Sequence, residues 1–160
     1  MKQKKLKKTL VDQILDKAGI AHESLALNAL KNDLPDDIQK EDIYKTLALT
    51  SGTQCIIGIV PLTSHLSEKK LAKAAGYKKV SMIPQKDLQK TTGYVHGANN
   101  PVGIHQKHQF PIFIDKVALE APLMIVSAGE VGRSIHINPQ ELATFVHATF
   151  ADICDHQLLD

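Results

Sequence analysis

The start of the chain alternates apolar and charged positions with the period of an α-helix. The apolar positions recur at intervals of four residues: Leu6, Leu10, Ile14 and Ala18. Val11 and Leu15 widen this stripe, and lysines and aspartates fill the other face. Side chains with this spacing share one face of a helix, so the pattern predicts an amphipathic helix within residues 1–19. Gly19 has the residue type that commonly ends a helix.

The middle of the chain has the shorter apolar runs that are typical of β-strands. Residues 44–50 and 55–60 are rich in β-branched and aliphatic side chains, and residues 51–53 between them predict a tight turn. Similar runs predict four more strands, at residues 79–83, 111–114, 123–127 and 134–137.

Helix signals separate these strands. Three further helices are predicted, at residues 68–75, at 84–89 and from 139 onward. Ser67 and Gly76 have the residue types that begin and end a helix. Asn138, followed by Pro139 and then by Glu141, has the sequence of a helix N-terminus.

Two segments show neither period. Residues 22–42 are polar and predict a loop with one helical turn. Residues 91–108 contain three glycines and one proline and predict no regular structure. The resulting order of elements predicts an α/β chain of the α+β type. It forms a single domain over residues 1–160, in which helices flank a mixed, largely antiparallel, curled sheet.

Composition narrows the class of function. The chain has 160 residues, of which 43% are hydrophobic and 22% charged, as expected of one globular domain. Aromatic residues make up 4% and Trp is absent, which disfavours a protein that stacks many nucleic-acid bases. The net charge is +2, but lysines crowd residues 2–8 and 69–90. These lysines fit either solvated helix faces or contacts with phosphate.

Cysteine usage and hydropathy indicate the compartment. Cys55 and Cys154 are far apart and outside any C-x-x-C motif, so no zinc ribbon or redox pair is predicted. Cys55 lies in an apolar run and is interpreted as a buried thiol, which favours a reducing, cytoplasmic location. No run approaches the roughly 18 apolar residues of a membrane span. The lysine-rich start lacks the apolar core of a signal peptide.

The common catalytic motifs are absent from the sequence. It has no P-loop, no H-E-x-x-H and no G-x-S-x-G. His105 and His108 form one H-x-x-H pair without a third ligand nearby, so we predict no metal site. A cysteine nucleophile with a histidine base can be written from Cys55 or Cys154, but no spacing supports it.

Two features remain as candidate chemistry. Lys45 stands at the start of an apolar strand, as a functional cation or as an edge lysine whose stem packs on the strand. Residues 93–103 and 127–134 carry several glycines. They either form tight turns or expose backbone N–H groups toward a carbonyl or oxyanion. The residue types alone leave these alternatives open.

At these positions the sequence resembles the YbaK/EbsC family, which includes the editing insertion domain of bacterial prolyl-tRNA synthetases. The resemblance runs from Tyr44 to the C-terminal end. Its segments are Tyr44-Lys45-Thr46-Leu47, residues 69–80, Thr92-Gly93-Tyr94, Gly97 with Pro101 and Gly103, Asp115, Ser127-Ala128-Gly129 with Gly132, and Phe150-Ala151-Asp152-Ile153. Each segment is short, but their common order makes the resemblance specific.

The resemblance implies a mixed α/β fold with a strongly bent sheet and a hydrolase that cleaves the ester between a mischarged amino acid and tRNA. It implies no cofactor. The aminoacylated 3′ end of tRNA is the expected partner, prolyl-tRNA synthetase is a second candidate, and neither membrane nor DNA is expected. Lys45 matches the family's functional lysine and is predicted to be catalytic, as an electrostatic anchor for a substrate oxygen or a 3′-terminal phosphate. The predicted substrate-binding residues are Tyr44, Thr46, Gly97, Ala98, Pro101, Gly129 and Ser134.

The substrate is less sharply implied than the reaction. An aminoacyl ester is already activated, so holding it beside water, or beside a cysteinyl thiol, requires little further chemistry. This chain has Ala98 where many members have a second glycine, and Ser134 where the cysteine-specific branch can carry an Asp. Cysteinyl-tRNA(Pro) is the first expectation, and alanyl and seryl esters stay open.

Two other classes of function also fit the sequence. One is a module that binds tRNA or a nucleotide without catalysis, and the other is an interaction protein that works beside a synthetase. Turnover distinguishes a hydrolase from both.

Overall fold

The computed structural model of the chain describes residues 6–27 and 34–155. Within those ranges the helices are α1 (Leu10–Ala18), α2 (Glu68–Ala75), α3 (Gln85–Thr92), α4 (Pro101–Lys107) and α5 (Pro139–Val146). The strands are β1 (His22–Leu25), β2 (Tyr44–Ser51), β3 (Gln54–Pro61), β4 (His65–Leu66), β5 (Ser81–Met82), β6 (Ile112–Asp115), β7 (Met124–Ser127), β8 (Ser134–Ile137), β9 (Thr149–Ala151) and β10 (Cys154–Asp155). The short 3-10 helices are Lys40–Asp42 and Lys116–Glu120. None of the helices described is long and apolar enough to cross a membrane.

A five-stranded sheet at the centre of the molecule has the strand order β5-β2-β3-β6-β9. β2 and β3 form an antiparallel hairpin in which Ser51 pairs with Gln54, which leaves Gly52 and Thr53 as the turn. Gly52 has a φ of +61°, a backbone angle that favours glycine. β6 joins β3, and β9 joins β6, in parallel.

A three-stranded antiparallel sheet, β1-β8-β7, lies against β2. A bridge between Ile43 and Ile125 connects it to the start of that strand. β4 and β10 form a separate antiparallel pair. Five of the seven strand pairings in the described ranges are antiparallel and two are parallel. The predicted mixed, largely antiparallel sheet flanked by helices is therefore confirmed.

The apolar run of β3 lies between two hydrophobic clusters. Ile57 and Ile59 belong to one cluster, to which α1, α4 and α5 contribute side chains. Ile56 and Val60 belong to the other, to which α2 contributes. Successive side chains of a strand point to opposite faces of a sheet, so a strand buried on both faces has a continuous apolar sequence. The two halves of the core are thus built on opposite faces of one strand.

Three of the predicted helices are present with small differences in length. The Ser67 hydroxyl accepts a hydrogen bond from the first turn of α2, and Gly76 ends that helix. Asn138 caps α5 in the same way. α3 follows Pro84 and continues to Thr92, beyond its predicted end. Local capping signals therefore placed these helices correctly.

The first helix begins later than the sequence predicted, at Leu10. The Asp12 N–H donates to the Thr9 hydroxyl, and the Thr9 N–H donates to the Asp12 carboxylate. This capping box satisfies N–H groups of the first turn and fixes the start of the helix. Val11 and Leu15 are buried, whereas Leu10 is 59% exposed. The predicted apolar stripe was therefore wrong at Leu10 and right at Val11 and Leu15, the two residues that widened it. The lysines of the first five residues lie outside the described ranges.

Residues 22–25 form β1, although the sequence predicted a loop there. Three of the four residues are polar, so the segment has no apolar alternation, and pairing with β8 determines its conformation. The predicted helical turn corresponds to the 3-10 helix Lys40–Asp42. Residues 28–33 lie outside the described ranges.

Residues 91–108 were predicted to be irregular, but part of this segment forms α4. Asn100 begins the helix, because its side chain accepts a hydrogen bond from the Gly103 N–H at 2.6 Å. Pro101 occupies the first helical position, where a missing N–H is harmless. Gly103 lies inside the helix, and the ring of Tyr94 fills the space that a Cβ would occupy there. The proline thus begins a helix and the glycine makes room for an aromatic ring.

Candidate active site

A pocket of about 150 Å³ opens between β2, the β7-β8 pair and the loops that precede α4 and β8. Its wall is mostly apolar. The apolar part comprises Leu27, Ile43, Leu47, Leu62, Ile125 and Val126. Polar side chains, among them Lys45, Thr46 and Arg133, complete the wall.

Five of the eight predicted site residues meet in this pocket. Tyr44, Lys45 and Thr46 come from the start of β2. Gly97 comes from the loop before α4, and Ser134 from the start of β8. The bridge at the start of β2 brings the β7-β8 pair beside that strand, so three segments that are far apart in sequence surround one cavity.

Ala98, Pro101 and Gly129 do not line the pocket. Ala98 is 3% exposed, and Pro101 is buried at the start of α4. Gly129 has a φ of +91°, and a Cβ there would contact Asn100 and Val11. These three residues shape the loops behind the wall and would influence a ligand only through them.

Lys45 gives the wall a cationic side chain. It is half-buried, and burial lowers its pKa from the usual value, although the nearby Cys154 opposes this effect. In the described ranges no carboxylate forms an ion pair with Lys45. A partly dehydrated, unpaired cation interacts strongly with negative charge that develops beside it.

Thr46 adds a buried hydroxyl that has no hydrogen-bond partner in the described part of the chain. The residue is 8% exposed. Its backbone carbonyl accepts, at 3.5 Å, from the side-chain amide of Asn99, and the Asn99 oxygen accepts from the Thr92 hydroxyl at 2.8 Å. An unpaired buried hydroxyl costs free energy, and one in a pocket wall is explained when a bound ligand supplies the missing partner.

Ser127 connects the two glycine-bearing loops. Its hydroxyl donates to the Gly97 carbonyl at 3.4 Å and accepts from the Gly129 N–H at 3.1 Å. The Ala98 N–H donates to the Val95 carbonyl, so neither Ala98 nor Gly129 offers a free N–H to a ligand. The Gly97 N–H forms no hydrogen bond within the described ranges. Among these three residues, only Gly97 thus has an N–H without a partner in the described ranges, and that this N–H faces a ligand stays a prediction.

Arg133 lines the pocket wall, and three groups of the protein hold its guanidinium. Its Nη2 lies 3.6 Å from Oδ2 of Asp12, and its Nε donates to the Leu25 carbonyl at 3.4 Å. Its Nη1 donates to the Lys7 carbonyl. One side chain thus ties the start of the chain and the end of β1 to the turn before β8.

Asp12 is the buried carboxylate of this network, at 1% exposure. Ser24 donates to its Oδ1 at 2.6 Å, and Nε2 of His22 lies 3.1 Å from the same oxygen. Burial by itself raises the pKa of Asp12, but hydrogen bonds from Ser24 and Thr9 and the nearby His22 outweigh it and lower the pKa. Asp12 is therefore ionised at neutral pH and provides the countercharge for Arg133.

The thiols do not line the pocket. Burial raises the pKa of Cys55 to about 11. Burial and the nearby Asp115 raise the pKa of Cys154 to about 12. Neither is a thiolate at neutral pH, so the geometry gives no support to a cysteine nucleophile. His108 stacks on Phe110, and no three His, Cys, Asp or Glu side chains of the described ranges are arranged to hold a metal ion.

Four polar residues of the wall were not among the predicted site residues: His96, Asn99, Ser127 and Arg133. All four lie in the glycine-bearing segments that the sequence singled out, so the segments were found but not these side chains. Arg133 carries no local signal, because its place in the wall depends on a tertiary ion pair with Asp12.

Comparison with known proteins adds independent findings. The family model described as aminoacyl-tRNA editing domain matches residues 21–145. The chain is 39% identical over 117 residues to the Enterococcus faecalis protein named "Putative Cys-tRNA(Pro)/Cys-tRNA(Cys) deacylase EbsC". That match covers 72% of this chain and 70% of the relative.

Solved structures share the fold. The structure described as a "putative trans-editing enzyme for prolyl tRNA synthetase" has a TM-score of 0.76 and 19% identity, and the match covers 91% of this chain and 94% of that one. The hypothetical protein APE2540 has a TM-score of 0.80 and 18% identity, with 91% and 99% covered. At these identities the likeness concerns the fold, and it agrees with the predicted α/β arrangement.

Proposed function

The chain belongs to the family of aminoacyl-tRNA editing domains, and on this premise we propose that it hydrolyses the ester of a mischarged tRNA. The proposed substrate carries a small amino acid at its 3′ end, with cysteinyl-tRNA(Pro) as the first choice. The name of the Enterococcus faecalis relative, which is 39% identical, supports that choice. The reaction would then take place in the cytoplasm, where tRNA is charged.

The pocket is the observation that carries this proposal. An apolar cavity of about 150 Å³ in another protein holds benzene, so a pocket of this volume has room for a small amino-acid side chain. Lys45, Thr46 and Gly97 all line it, and the Gly97 N–H has no hydrogen-bond partner within the described ranges. A site of this kind holds a small acyl group in apolar surroundings and offers positive groups to its carbonyl.

The proposed chemistry requires no nucleophilic side chain. A water oxygen attacks the ester carbonyl carbon, and the carbonyl oxygen becomes an oxyanion. The Lys45 ammonium and the Gly97 N–H would stabilise that charge in partly dehydrated surroundings, where such contacts are strongest. The carbon–oxygen bond to the ribose then breaks, the ribose oxygen takes one proton of the attacking water, the second proton passes to solvent, and the amino acid leaves as its carboxylate.

The nucleophile can be identified from the range of substrates. If water attacks, alanyl and seryl esters that fit the pocket are hydrolysed as well as cysteinyl esters. If the thiol of a cysteinyl group instead attacks its own carbonyl carbon, the ester bond to the ribose breaks, the ribose oxygen takes the thiol proton, and the product is a cyclic thioester that water then opens. Alanyl esters, which have no thiol, then stay intact. Both routes depend mainly on holding the ester in place, which is how a site without a triad can accelerate the cleavage of an activated ester.

The test is release of the amino acid from a panel of charged tRNAs at low enzyme concentration. The panel contains cysteinyl-, alanyl- and seryl-tRNA with the proline anticodon, and correctly charged prolyl-tRNA as the control. We expect many turnovers on at least one mischarged species. Lys45→Ala should lower kcat by about 100-fold or more, as loss of one oxyanion contact does.

Lys116→Ala is the matched control, because Lys116 is an exposed lysine outside the pocket. It should retain full activity. Release no faster than the uncatalysed rate on every tRNA would contradict the proposal and favour the module that binds tRNA without catalysis. A complex with prolyl-tRNA synthetase that is insensitive to Lys45→Ala would favour the interaction protein.

A further inference from the structure

Exposed lysines accompany the segment that leads from β5 to the pocket wall. After β5 pairs with the end of β2, the chain forms α3 and then returns to Thr46, whose carbonyl the Asn99 amide contacts. α3 and the loop after it therefore follow the edge of β2 toward the pocket. Val95 and His96 in that loop are exposed, and His96 lines the pocket.

Three exposed lysines accompany this segment, and we name them the α3–α4 lysines: Lys86, Lys90 and Lys107. Lys86 and Lys90 are four residues apart and thus share one face of α3. Lys90 is paired with Asp87 at 3.0 Å, but its side chain is 75% exposed, so that pair neutralises it little. None of the three lies inside the pocket, so they are available to a ligand that extends out of it.

Lys107 is held close to the loop that leads into the pocket. Its Nζ lies 4.6 Å from the centre of the Tyr94 ring, and a Cβ on Gly93 would come within 3.3 Å of the same nitrogen. The ring face attracts the ammonium and restricts its position. The Lys107 ammonium of α4 is thereby held beside Tyr94, which lies two residues before His96 in the chain.

The turn before β8, whose Gly129 lies close to Tyr94 and Asn100, adds an acidic side chain and an apolar one beside the same loop. The turn before β8 carries the exposed residues Glu130 and Val131, while its cation, Arg133, faces the buried Asp12. Val131 and Val95 are 50% and 43% exposed. Lys90 and Lys107 would attract an anionic chain that runs along α3 and α4, whereas Glu130 would repel it.

We propose that the α3–α4 lysines bind the phosphates of the single-stranded 3′ end of tRNA, while Val95 and Val131 contact its terminal base. This inference rests on the proposed function, since it assumes that the ester enters the pocket from a tRNA end. It names the path of the RNA outside the pocket. Lysine contacts with phosphate carry no sequence information, so this surface would hold any tRNA end and leave selection of the amino acid to the pocket.

The test compares Lys90→Gln/Lys107→Gln with a matched control, Lys69→Gln/Lys73→Gln. Lys69 and Lys73 are exposed lysines of α2, whose apolar side chains pack on the other face of the central sheet. Two substrates are used: mischarged tRNA, and the same amino acid esterified to adenosine, which has no phosphate. The third measurement is binding of an uncharged RNA hairpin with a single-stranded CCA end, by fluorescence anisotropy over a range of salt concentrations.

The Lys90/Lys107 variant should lose about tenfold in kcat/KM on tRNA and in affinity for the hairpin. Its plot of log affinity against log salt should be shallower by about 1.4, or about 0.7 for each lost contact with single-stranded RNA. Hydrolysis of the adenosine ester should be unchanged, and the α2 control should behave as the wild type throughout.

The outcomes separate this inference from the deacylase proposal. Equal losses in the two double variants, or none in the Lys90/Lys107 variant, overturn the inference and leave the hydrolase intact. A loss on the adenosine ester as large as that on tRNA also overturns it, since the lysines would then support the fold or the pocket. If the wild type hydrolyses neither ester but binds the hairpin through Lys90 and Lys107, the deacylase proposal fails and the RNA surface stands.

Discussion

Replacing Thr46 by Val should stabilise the protein and at the same time impair the proposed hydrolysis. The Thr46 hydroxyl is buried and unpaired in the described structure, and an unpaired buried hydroxyl costs about 1–3 kcal/mol. Val has nearly the same shape and suits a strand as well as Thr does. Thr46→Val should therefore raise the free energy of unfolding by about 1 kcal/mol, or the Tm by about 2–4 °C.

The effect on activity should have the opposite sign. Thr46 lines the pocket, so we expect its unpaired hydroxyl to form a hydrogen bond with a bound substrate. Loss of one neutral hydrogen bond to the substrate costs about 0.5–1.5 kcal/mol, which lowers kcat/KM about two- to tenfold. A group that destabilises the free protein would thus be retained because the bound substrate pairs with it.

Urea denaturation and deacylation kinetics measure the two effects on the same samples. Thr50→Val is the control, because Thr50 lies on the same strand but outside the pocket wall. It should leave kcat/KM unchanged. A Thr46→Val protein that is less stable than the wild type would refute the reasoning on the unpaired hydroxyl, and an unchanged kcat/KM would refute its contact with substrate.

Three further predictions concern charge and packing. In a pH–rate profile, activity should fall as pH rises through the lowered pKa of Lys45, because the ammonium is lost; Lys45→Arg, which stays charged, should show no such fall, whatever its absolute rate. Asp12→Asn removes the countercharge of Arg133 and should cost about 3–5 kcal/mol in urea denaturation at pH 7. The folded-state pKa of Asp12 is lowered, so its contribution to stability is complete well above the unfolded pKa of about 3.9. That contribution disappears as the pH falls through the folded-state pKa. The free energies of unfolding of variant and wild type should therefore converge in acid, and a difference that stays constant with pH would contradict this. Gly103→Ala forces a Cβ against the Tyr94 ring and should cost about 1–3 kcal/mol, most of which Tyr94→Leu should restore; an additive loss in the double variant would exclude the steric cause.

Elements whose signals are local could be predicted from the sequence. Ser67 and Gly76 enclose α2, and Asn138 begins α5, because capping depends on residues within one helical turn. The continuous apolar run of β3 also indicated a buried strand, because a strand that is buried on both faces has apolar residues at successive positions. Lys45 and Gly97 were identified through a family resemblance, and the fold then placed them round one pocket.

The elements that could not be predicted depend on tertiary contacts. β1 is a strand because β8 pairs with it, and its own residues have no strand pattern. Gly103 occurs inside α4 because the ring of Tyr94 occupies the space that a Cβ at position 103 would need. Arg133 and Asp12 are 121 residues apart, and each alone has the sequence of an exposed charge. The contacts between polar side chains at the site, such as that between Arg133 and Asp12, were therefore the part that local sequence patterns could not reveal.

The parallel pairing of β3 with β6 has a consequence for how the site is acquired. Ile57 and Ile112 are neighbours in the sheet although 55 residues separate them, and the pocket wall draws on residues from Leu27 to Ser134. Contacts of such separation form late, after local hairpins, because closing long loops is entropically costly. A fragment that lacks part of residues 27–134 would therefore lack part of the pocket wall, and recovery of the proposed activity should follow the late steps of folding. A ligand in the pocket should then slow amide exchange throughout the molecule, because opening any wall segment releases it.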